Sequence, residues 1–139
     1  MINRELINPQ SIVVVGGSNN VHKPGGRLVR NLLDGKYKGE LYVVNAKEDD
    51  VQGLKSYHSV HDIPETELAI ISIPGPACPE AVDVLAKQKN VKAFIVISAG
   101  FGEETHEGAI LEEQMLKSIN EAGASLIGPN CIGLMNMNY

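Results

Sequence analysis

The sequence of 139 residues lacks tryptophan and contains only two phenylalanines, four tyrosines and two cysteines. So few aromatic rings argue against a surface that stacks the bases of nucleic acid. The cysteines, Cys78 and Cys131, have neither metal-site spacing nor the density of a secreted disulfide scaffold. No apolar run approaches the roughly 20 residues that span a bilayer, and the first ten residues do not resemble a signal peptide. We therefore expect a cytoplasmic protein that contacts neither membrane nor nucleic acid.

An excess of positive charge is also missing, since 12 Lys and Arg face 17 Asp and Glu, for a net charge of −5. The charge is unevenly distributed: residues 1–55 carry eight basic and six acidic side chains, whereas residues 56–139 carry four and eleven. The hydrophobic fraction of 43% and the chain length are typical of one folded domain. Because the basic side chains are concentrated in residues 1–55, a small anionic ligand would bind in the N-terminal part of the chain.

Short apolar runs rich in Val and Ile alternate along the chain with stretches of helical periodicity. The runs are mostly continuous, which is typical of strands buried on both faces of a parallel sheet. They predict five strands, at 11–15, 40–44, 68–73, 93–97 and 125–127, and three helices, at 27–33, 79–89 and 107–122. The segment 51–64 fits either a short strand or a short helix around residues 54–63. This alternation predicts a single α/β domain with a doubly wound, mainly parallel five-stranded sheet.

In such a sheet the carboxyl ends of the strands share one edge, where ligands bind. The turn after the first predicted strand begins with GGSN at 16–19 and ends with KPGGR at 23–27. Adjacent glycines permit tight backbone geometry, the following helix offers unpaired N–H groups, and Lys23 and Arg27 add positive charge. The pattern predicts a phosphate-binding turn, although it matches neither G-x-G-x-x-G nor the P-loop. A turn that merely connects strand to helix is the alternative.

Asn45 and Lys47 follow the second predicted strand, where a site for NAD would place an acid that binds the ribose hydroxyls. A lysine there suits a phosphate on the ribose, which favours CoA or NADP over NAD. A solvated surface lysine is the alternative. The turns at 72–76, 98–102 and 128–133 are small, polar or proline-rich, which favours a ligand site along this edge over simple connections.

Five motifs, taken in order, resemble a known family: SIVVVGGSNN with KPGG, YVVNAK, ISIPGP, VISAGF and GPNCIGLMN. They closely resemble the CoA-binding domain of NDP-forming acyl-CoA synthetases. The ADP-forming acetate–CoA ligases fit best, and the alpha subunit of succinyl-CoA synthetase is a more distant relative. The resemblance covers essentially the whole chain and implies a Rossmann-like fold that holds CoA.

The resemblance also implies individual contacts with CoA. They are Gly17, Ser18, Asn19 and Lys23 in the first turn, Asn45 and Lys47 toward the phosphate-bearing nucleotide end, Ile73 and Pro74 beside the adenine or the arm, Ile97, Ser98 and Ala99 along the pantetheine, and Asn130 and Cys131 near the thiol end or the next domain. Succinyl-CoA synthetases have an acid in the turn after the fourth strand, whereas this chain has Ala99-Gly100. No contact of that acidic side chain is therefore carried over.

The family's reaction joins a carboxylic acid to CoA while NTP becomes NDP and phosphate. It passes through a phosphohistidine and uses an ATP-grasp module, and the resemblance implies that both lie outside this chain. The four histidines, His22, His58, His61 and His106, match no such site. His58 and His61 lack a third metal ligand nearby, and no His/Asp pattern points to Cys131 as a nucleophile.

We therefore expect residues 1–139 to form the N-terminal CoA-binding domain of a longer ligase. This domain would bind CoA or acyl-CoA without turnover, and would meet ATP or ADP only through further domains or subunits. Two alternatives stay open. One is a stand-alone module that senses CoA or acyl-CoA, and the other is a fragment of an NADP-dependent oxidoreductase.

Overall fold

Seven strands form one sheet in residues 9–97 and 106–127, the part of the chain described by the structure, which is a computed structural model. The strands are β1 (Ser11–Val15), β2 (Glu40–Val44), β3 (Asp50–Val51), β4 (Leu54–Tyr57), β5 (Leu68–Ile71), β6 (Ala93–Val96) and β7 (Ser125–Ile127). The helices are α1 (Pro24–Asp34), α2 (Cys78–Gln88) and α3 (His106–Glu121). The strand order is β3-β4-β2-β1-β5-β6-β7, and every pair is parallel except β3 with β4. The prediction of a mainly parallel α/β sheet is confirmed.

Alternate residues of β1 enter two separate cores, one on each face of the sheet. Val13 and Val15 belong to the core that α2 and α3 cover, whereas Ile12 and Val14 belong to the core under α1. All four side chains are at most 2% exposed. Burial on both faces explains why this strand reads as a continuous apolar run, and helices on both faces make the sheet doubly wound.

The strand order reverses at β1. From β1 the chain runs through α1 to β2 and on to β4, and then crosses back to β5 on the other side of β1. Ligands in such sheets bind in the crevice outside the carboxyl ends of the strands, at the point of reversal. The crevice beside β1 and β5 is therefore the expected ligand position.

The sheet has two strands more than the five predicted: β3 was not predicted, and β4 lies in the segment 51–64, which fitted either a short strand or a short helix. β3 and β4 form an antiparallel hairpin in which Val51 pairs with Leu54, and β4 also extends the parallel sheet beside β2. A 3-10 turn at Val60–Asp62 follows. The segment 51–64 thus contains both a strand and a helical turn. β4 buries only Ser56 of its four residues, so it lacks the apolar run that marks a central strand.

Several element ends differ from the prediction by one to three residues. β5 ends at Ile71 because Pro74 and a 3-10 turn at Gly75–Ala77 redirect the chain, and β6 ends at Val96. α1 begins three residues early, because a proline suits the first helical position. The predicted contacts Ser98, Ala99, Asn130 and Cys131 lie outside the described residues. Within the described ranges no helix is long and apolar enough to cross a membrane.

Candidate functional site

A cleft of about 420 Å³ opens where the carboxyl ends of β1, β2, β4 and β5 meet. Its lining comes from the turn after β1, the start of the turn after β2, the segment 58–60 after β4 and the segment 72–74 after β5. This is the point at which the strand order reverses. The volume lies within the range of roughly 300–1,000 Å³ that is usual for small-molecule sites.

Two glycines permit the close backbone approach that shapes one wall of the cleft. Gly16 has a φ of +93°, and a Cβ atom on it would lie 2.1 Å from the carbonyl oxygen of Ser72. A Cβ atom on Gly25 would lie 2.1 Å from the carbonyl oxygen of Gly16. The end of β1 therefore touches both the end of β5 and the first turn of α1. Only residues without a Cβ atom allow these contacts.

The amino end of α1 lies beside the cleft without a capping side chain. Lys23 occupies the N-cap position with extended backbone and makes no side-chain cap hydrogen bond, and the first turn of α1 contains no acid. Lys23 itself lines the cleft. The first-turn N–H groups and the positive end of the helix dipole favour an anion at this position.

Asn45 shapes the turn after β2 through three hydrogen bonds. Its Nδ2 donates to the carbonyl oxygen of Gly17 at 2.9 Å, and its Oδ1 accepts from the backbone N–H groups of Lys47 and Glu48 at 2.9 and 3.0 Å. The amide thus joins the turn after β2 to the turn after β1 and holds the Lys47 backbone at the cleft.

The charge of the cleft is positive. Lys23 and Lys47 both line it, and no Asp or Glu stands among its described lining residues. His58, also in the lining, places its Nε2 2.7 Å from Oδ1 of Asp49, a carboxylate outside the cleft. Two lysines without a neighbouring carboxylate in the lining create a potential that attracts anionic ligands.

The wall formed by Ile73 and Pro74 is apolar, and the thiol of Cys78 hydrogen-bonds to its backbone. The Cys78 side chain is fully buried, and its Sγ donates toward the carbonyl oxygens of Ile73 and Pro74, each at 3.6 Å. Val60 and Ala81 add further apolar lining. The cleft thus pairs a cationic side with an apolar side, as a ligand with a phosphorylated end and a less polar arm requires.

A family model described as CoA binding domain matches residues 10–137 of the chain. The chain belongs to this CoA-binding domain family. The ADP-forming acetate–CoA ligase II of Archaeoglobus fulgidus is 39% identical over 134 residues, which cover 96% of this chain and 20% of that protein. The alpha subunit of the ADP-forming acetate–CoA ligase II of Pyrococcus furiosus is 40% identical over 133 residues, or 94% of this chain and 28% of that subunit.

A solved structure of the family shares the fold. The apo dinucleotide-forming acetyl-coenzyme A synthetase 1 of Candidatus Korarchaeum cryptofilum matches this CoA-binding domain with a TM-score of 0.81 and 34% identity. The match covers 91% of this chain and 27% of that one. This chain spans only 20% and 28% of the length of the two curated relatives named above. The resemblance to ADP-forming acetate–CoA ligases is confirmed, and the chain corresponds to one part of those proteins.

Most of the predicted contacts within the described residues meet in this cleft. Those that line it are Gly17, Ser18, Lys23, Asn45, Lys47, Ile73 and Pro74. Ile97 does not, because its side chain packs against the core under α1 while its N–H donates to the carbonyl oxygen of Ile71 at 3.0 Å. Residues 98–105, which follow it in the sequence, lie outside the described residues.

Asn19 is also absent from the lining, because its amide is committed elsewhere. Its Nδ2 donates to the carbonyl oxygen of Asp50 at 2.9 Å, and its Oδ1 accepts from the backbone N–H of Gln52 at 2.7 Å. These bonds join the turn after β1 to the β3–β4 hairpin.

The sequence analysis missed one part of the lining, the segment His58, Ser59 and Val60 that follows β4. Recognition of β4 as a strand would have placed these residues at the same sheet edge, but β4 carries no strong apolar signal. Ser59 begins the 3-10 turn, and its Oγ accepts from the backbone N–H of His61 at 3.2 Å. In the part of the chain that the structure describes, no group of three or more His, Cys, Asp or Glu side chains could hold a metal.

Proposed function

We propose that this domain binds CoA in the cleft at the carboxyl ends of β1, β2, β4 and β5. The observation that carries the proposal is the pair of lysines, Lys23 and Lys47, in a lining whose described residues include no carboxylate. CoA is anionic at its nucleotide end and much less polar along its pantetheine arm, which matches the two sides of the cleft. The family to which the chain belongs supports the same ligand.

Each side of the cleft takes one part of the ligand in this proposal. Phosphate oxygens accept hydrogen bonds from the amino end of α1 and from Lys23, and Lys47 meets the phosphate on the ribose. The arm runs along Ile73 and Pro74. Ser98 and Ala99, which follow β6 in the sequence, would contact the pantetheine, and Asn130 and Cys131, which follow β7, would lie near the thiol end or the next domain.

We propose further that the domain serves an acid–thiol ligase that converts a carboxylic acid, CoA and ATP to acyl-CoA, ADP and phosphate. The identity to ADP-forming acetate–CoA ligases, of which this chain spans 20% and 28%, supports this. The domain would hold CoA in the cytoplasm, and ATP or ADP would act in other domains or subunits of the same synthetase. On its own it would bind CoA without turnover.

The test is calorimetric titration of the chain with CoA, dephospho-CoA, NAD and NADP at one salt concentration. We expect saturable binding of CoA that is stronger than that of the other three. Lys47→Ala should weaken CoA binding by about tenfold or more, because a charge-assisted hydrogen bond contributes ~1.5–3 kcal/mol. The same substitution should affect dephospho-CoA much less, since that ligand lacks the ribose phosphate.

Lys38→Ala is the matched control, because it removes the same charge from an exposed lysine two residues before β2 begins. That position lies at the opposite edge of the sheet, so its effect on CoA binding should stay within about twofold, the size of a screened long-range interaction. Failure of the chain to bind CoA, or tighter binding of NADP than of CoA, would contradict the proposal. Equal effects of the two lysine substitutions would refute the contact at Lys47.

A further inference from the structure

Gln52 occupies a backbone conformation that suits glutamine poorly. The hairpin of β3 and β4 pairs Val51 with Leu54, so its turn has only two residues, Gln52 and Gly53. Their φ angles are +52° and +90°. Turns of this kind favour Asn followed by Gly, because Asn tolerates the left-handed region far better than longer side chains do. A glutamine here departs from the local preference, and such departures concentrate where a side chain has a function.

The side chain of Gln52 reaches back to both ends of the turn that follows β1. Its Nε2 donates to the carbonyl oxygens of Ser18 and Gly26, both at 2.8 Å. Its Oε1 is buried and, among the described residues, has no hydrogen-bond partner. The two hydrogen bonds of Nε2 are therefore made at the cost of a buried, unpaired Oε1.

Asn19 completes the connection from the other side. Nδ2 of Asn19 donates to the Asp50 carbonyl oxygen, and the backbone N–H of Gln52 donates to Oδ1 of Asn19. With the two Nε2 bonds of Gln52, four hydrogen bonds join the hairpin to the turn after β1 and to the first turn of α1. We call this set the Asn19–Gln52 clasp. Ser18 and Lys23, which line the cleft, lie in the turn that it holds.

We propose that Gln52 and Asn19 are positioning residues that hold the phosphate-binding turn in its binding shape before the ligand arrives. The inference rests on the proposed binding of CoA in the cleft. A turn that is already ordered does not lose conformational entropy on binding, so the clasp raises affinity without touching the ligand. Because Ser18 lies near the start of the turn and Gly26 lies in the first turn of α1, the clasp sets the distance between the two parts that would meet a phosphate.

The decisive variant is Gln52→Asn, which separates stability from binding. Asn followed by Gly suits the hairpin turn better than Gln does, and the variant no longer buries an unpaired Oε1. These gains oppose the loss of the two Nε2 bonds, so the melting temperature should stay close to that of the wild type. The Asn side chain is one methylene shorter, by about 1.5 Å, and does not reach both carbonyl oxygens. CoA affinity should therefore fall by about tenfold as the two Nε2 bonds are lost. A merely structural role would change the two quantities in the same direction.

Asn19→Ala is a second variant, which leaves the hairpin-turn residues Gln52 and Gly53 unchanged. If both side chains act as one clasp, Asn19→Ala, Gln52→Asn and the double variant should lose CoA affinity to similar extents. Gln114→Asn, on an exposed site of α3, is the control for the chemical change and should bind CoA as the wild type does.

The outcomes separate this inference from the proposed function. A wild-type chain that does not bind CoA refutes the proposed function, and the inference with it. A wild type that binds CoA while Gln52→Asn binds it within twofold refutes the clasp alone. Losses that multiply in the double variant, to roughly a hundredfold, would also overturn it, because they would mean that the two residues act independently.

Discussion

Replacement of Gly25 by alanine tests whether α1 is packed as tightly on the end of β1 as the cleft requires. The added Cβ atom would lie 2.1 Å from the carbonyl oxygen of Gly16 and 2.9 Å from its carbon, whereas ordinary contacts begin near 3.4 Å. Both obstacles are backbone atoms, which no side-chain rotation removes. The amino end of α1 must therefore move away from β1 by roughly 1 Å, the difference between these separations and an ordinary contact.

The sign of the stability change shows whether α1 packs tightly on the end of β1. Gly25 is the second residue of α1, and alanine in a helix without steric conflict would stabilise the protein by up to ~1 kcal/mol. Overpacking of a close contact costs about 1–3 kcal/mol instead. At roughly 4 °C per kcal/mol for a domain of this size, Gly25→Ala should lower the melting temperature by about 4–12 °C. The shift of the helix end should also weaken CoA binding about fivefold, since a well-placed helix terminus contributes ~1 kcal/mol to anion binding.

Thermal unfolding followed by circular dichroism measures the first effect, and calorimetric titration with CoA measures the second. Asn31→Ala is the matched control, because Asn31 is exposed in the same helix and alanine there adds only helix propensity. Its melting temperature should rise by about 2 °C, and its CoA affinity should not change. A Gly25→Ala protein as stable as the wild type, or more stable, would refute the close contact between α1 and β1.

Two further predictions concern pH. Hydrogen bonds from Lys87 and Ser118, each at 2.9 Å, lower the pKa of Asp83 below its ordinary 3.8. The stability that Asp83 contributes is therefore present above pH 4 and is lost as pH falls through the lowered pKa. The difference in melting temperature between wild type and Asp83→Asn should therefore shrink below pH 4, and a difference that is constant from pH 7 to pH 2 would contradict this assignment. Burial, with a smaller contribution from Glu67, raises the pKa of Tyr37 to about 12. Absorbance at 295 nm should show a step near pH 12 that Tyr37→Phe removes. Because the folded state holds this proton more tightly than the unfolded state, stability should decline from pH 10 toward 12. A wild-type tyrosine titration that is complete by pH 11 would refute the raised pKa of Tyr37.

The parts of the fold that the sequence predicts are those in which one physical signal dominates. β1 is buried on both faces, so its apolar run identifies it as a central strand. β4 carries LKSY at 54–57 and pairs beside β2 near the sheet edge, where burial of a single side chain is enough. No apolar periodicity marks such a strand. The dipeptide Gln52-Gly53 forms the hairpin turn between β3 and β4. Two-residue hairpin turns are usually predicted from Asn-Gly, so the glutamine at the first position did not indicate one.

The residues of the predicted site likewise divide into those that a local sequence pattern places correctly and those that it does not. Lys47 lines the cleft because it lies three residues after the end of β2, and Lys23 lines it because it is the N-cap of α1, whose amino end lies beside the carboxyl end of β1. Asn19 lies in the same turn as Lys23, but the β3–β4 hairpin takes both polar ends of its amide. The partner segment lies about thirty residues away in sequence and was not recognised as a hairpin, so the sequence pattern could not assign this amide to it.

The distribution of charged and neutral side chains around the cleft follows from their hydrogen-bonding groups. An amide carries both donors and an acceptor, so Asn19, Asn45 and Gln52 can each bond the backbone of a neighbouring turn without adding charge. A lysine carries donors and a full charge, which is most useful where an anion enters. Because the amides are neutral, they shape the turns without changing the potential in the cleft. Shape and potential can therefore be altered separately: Gln52→Asn changes the first at constant charge, and Lys47→Ala changes the second while Asn45 still holds the backbone of residue 47.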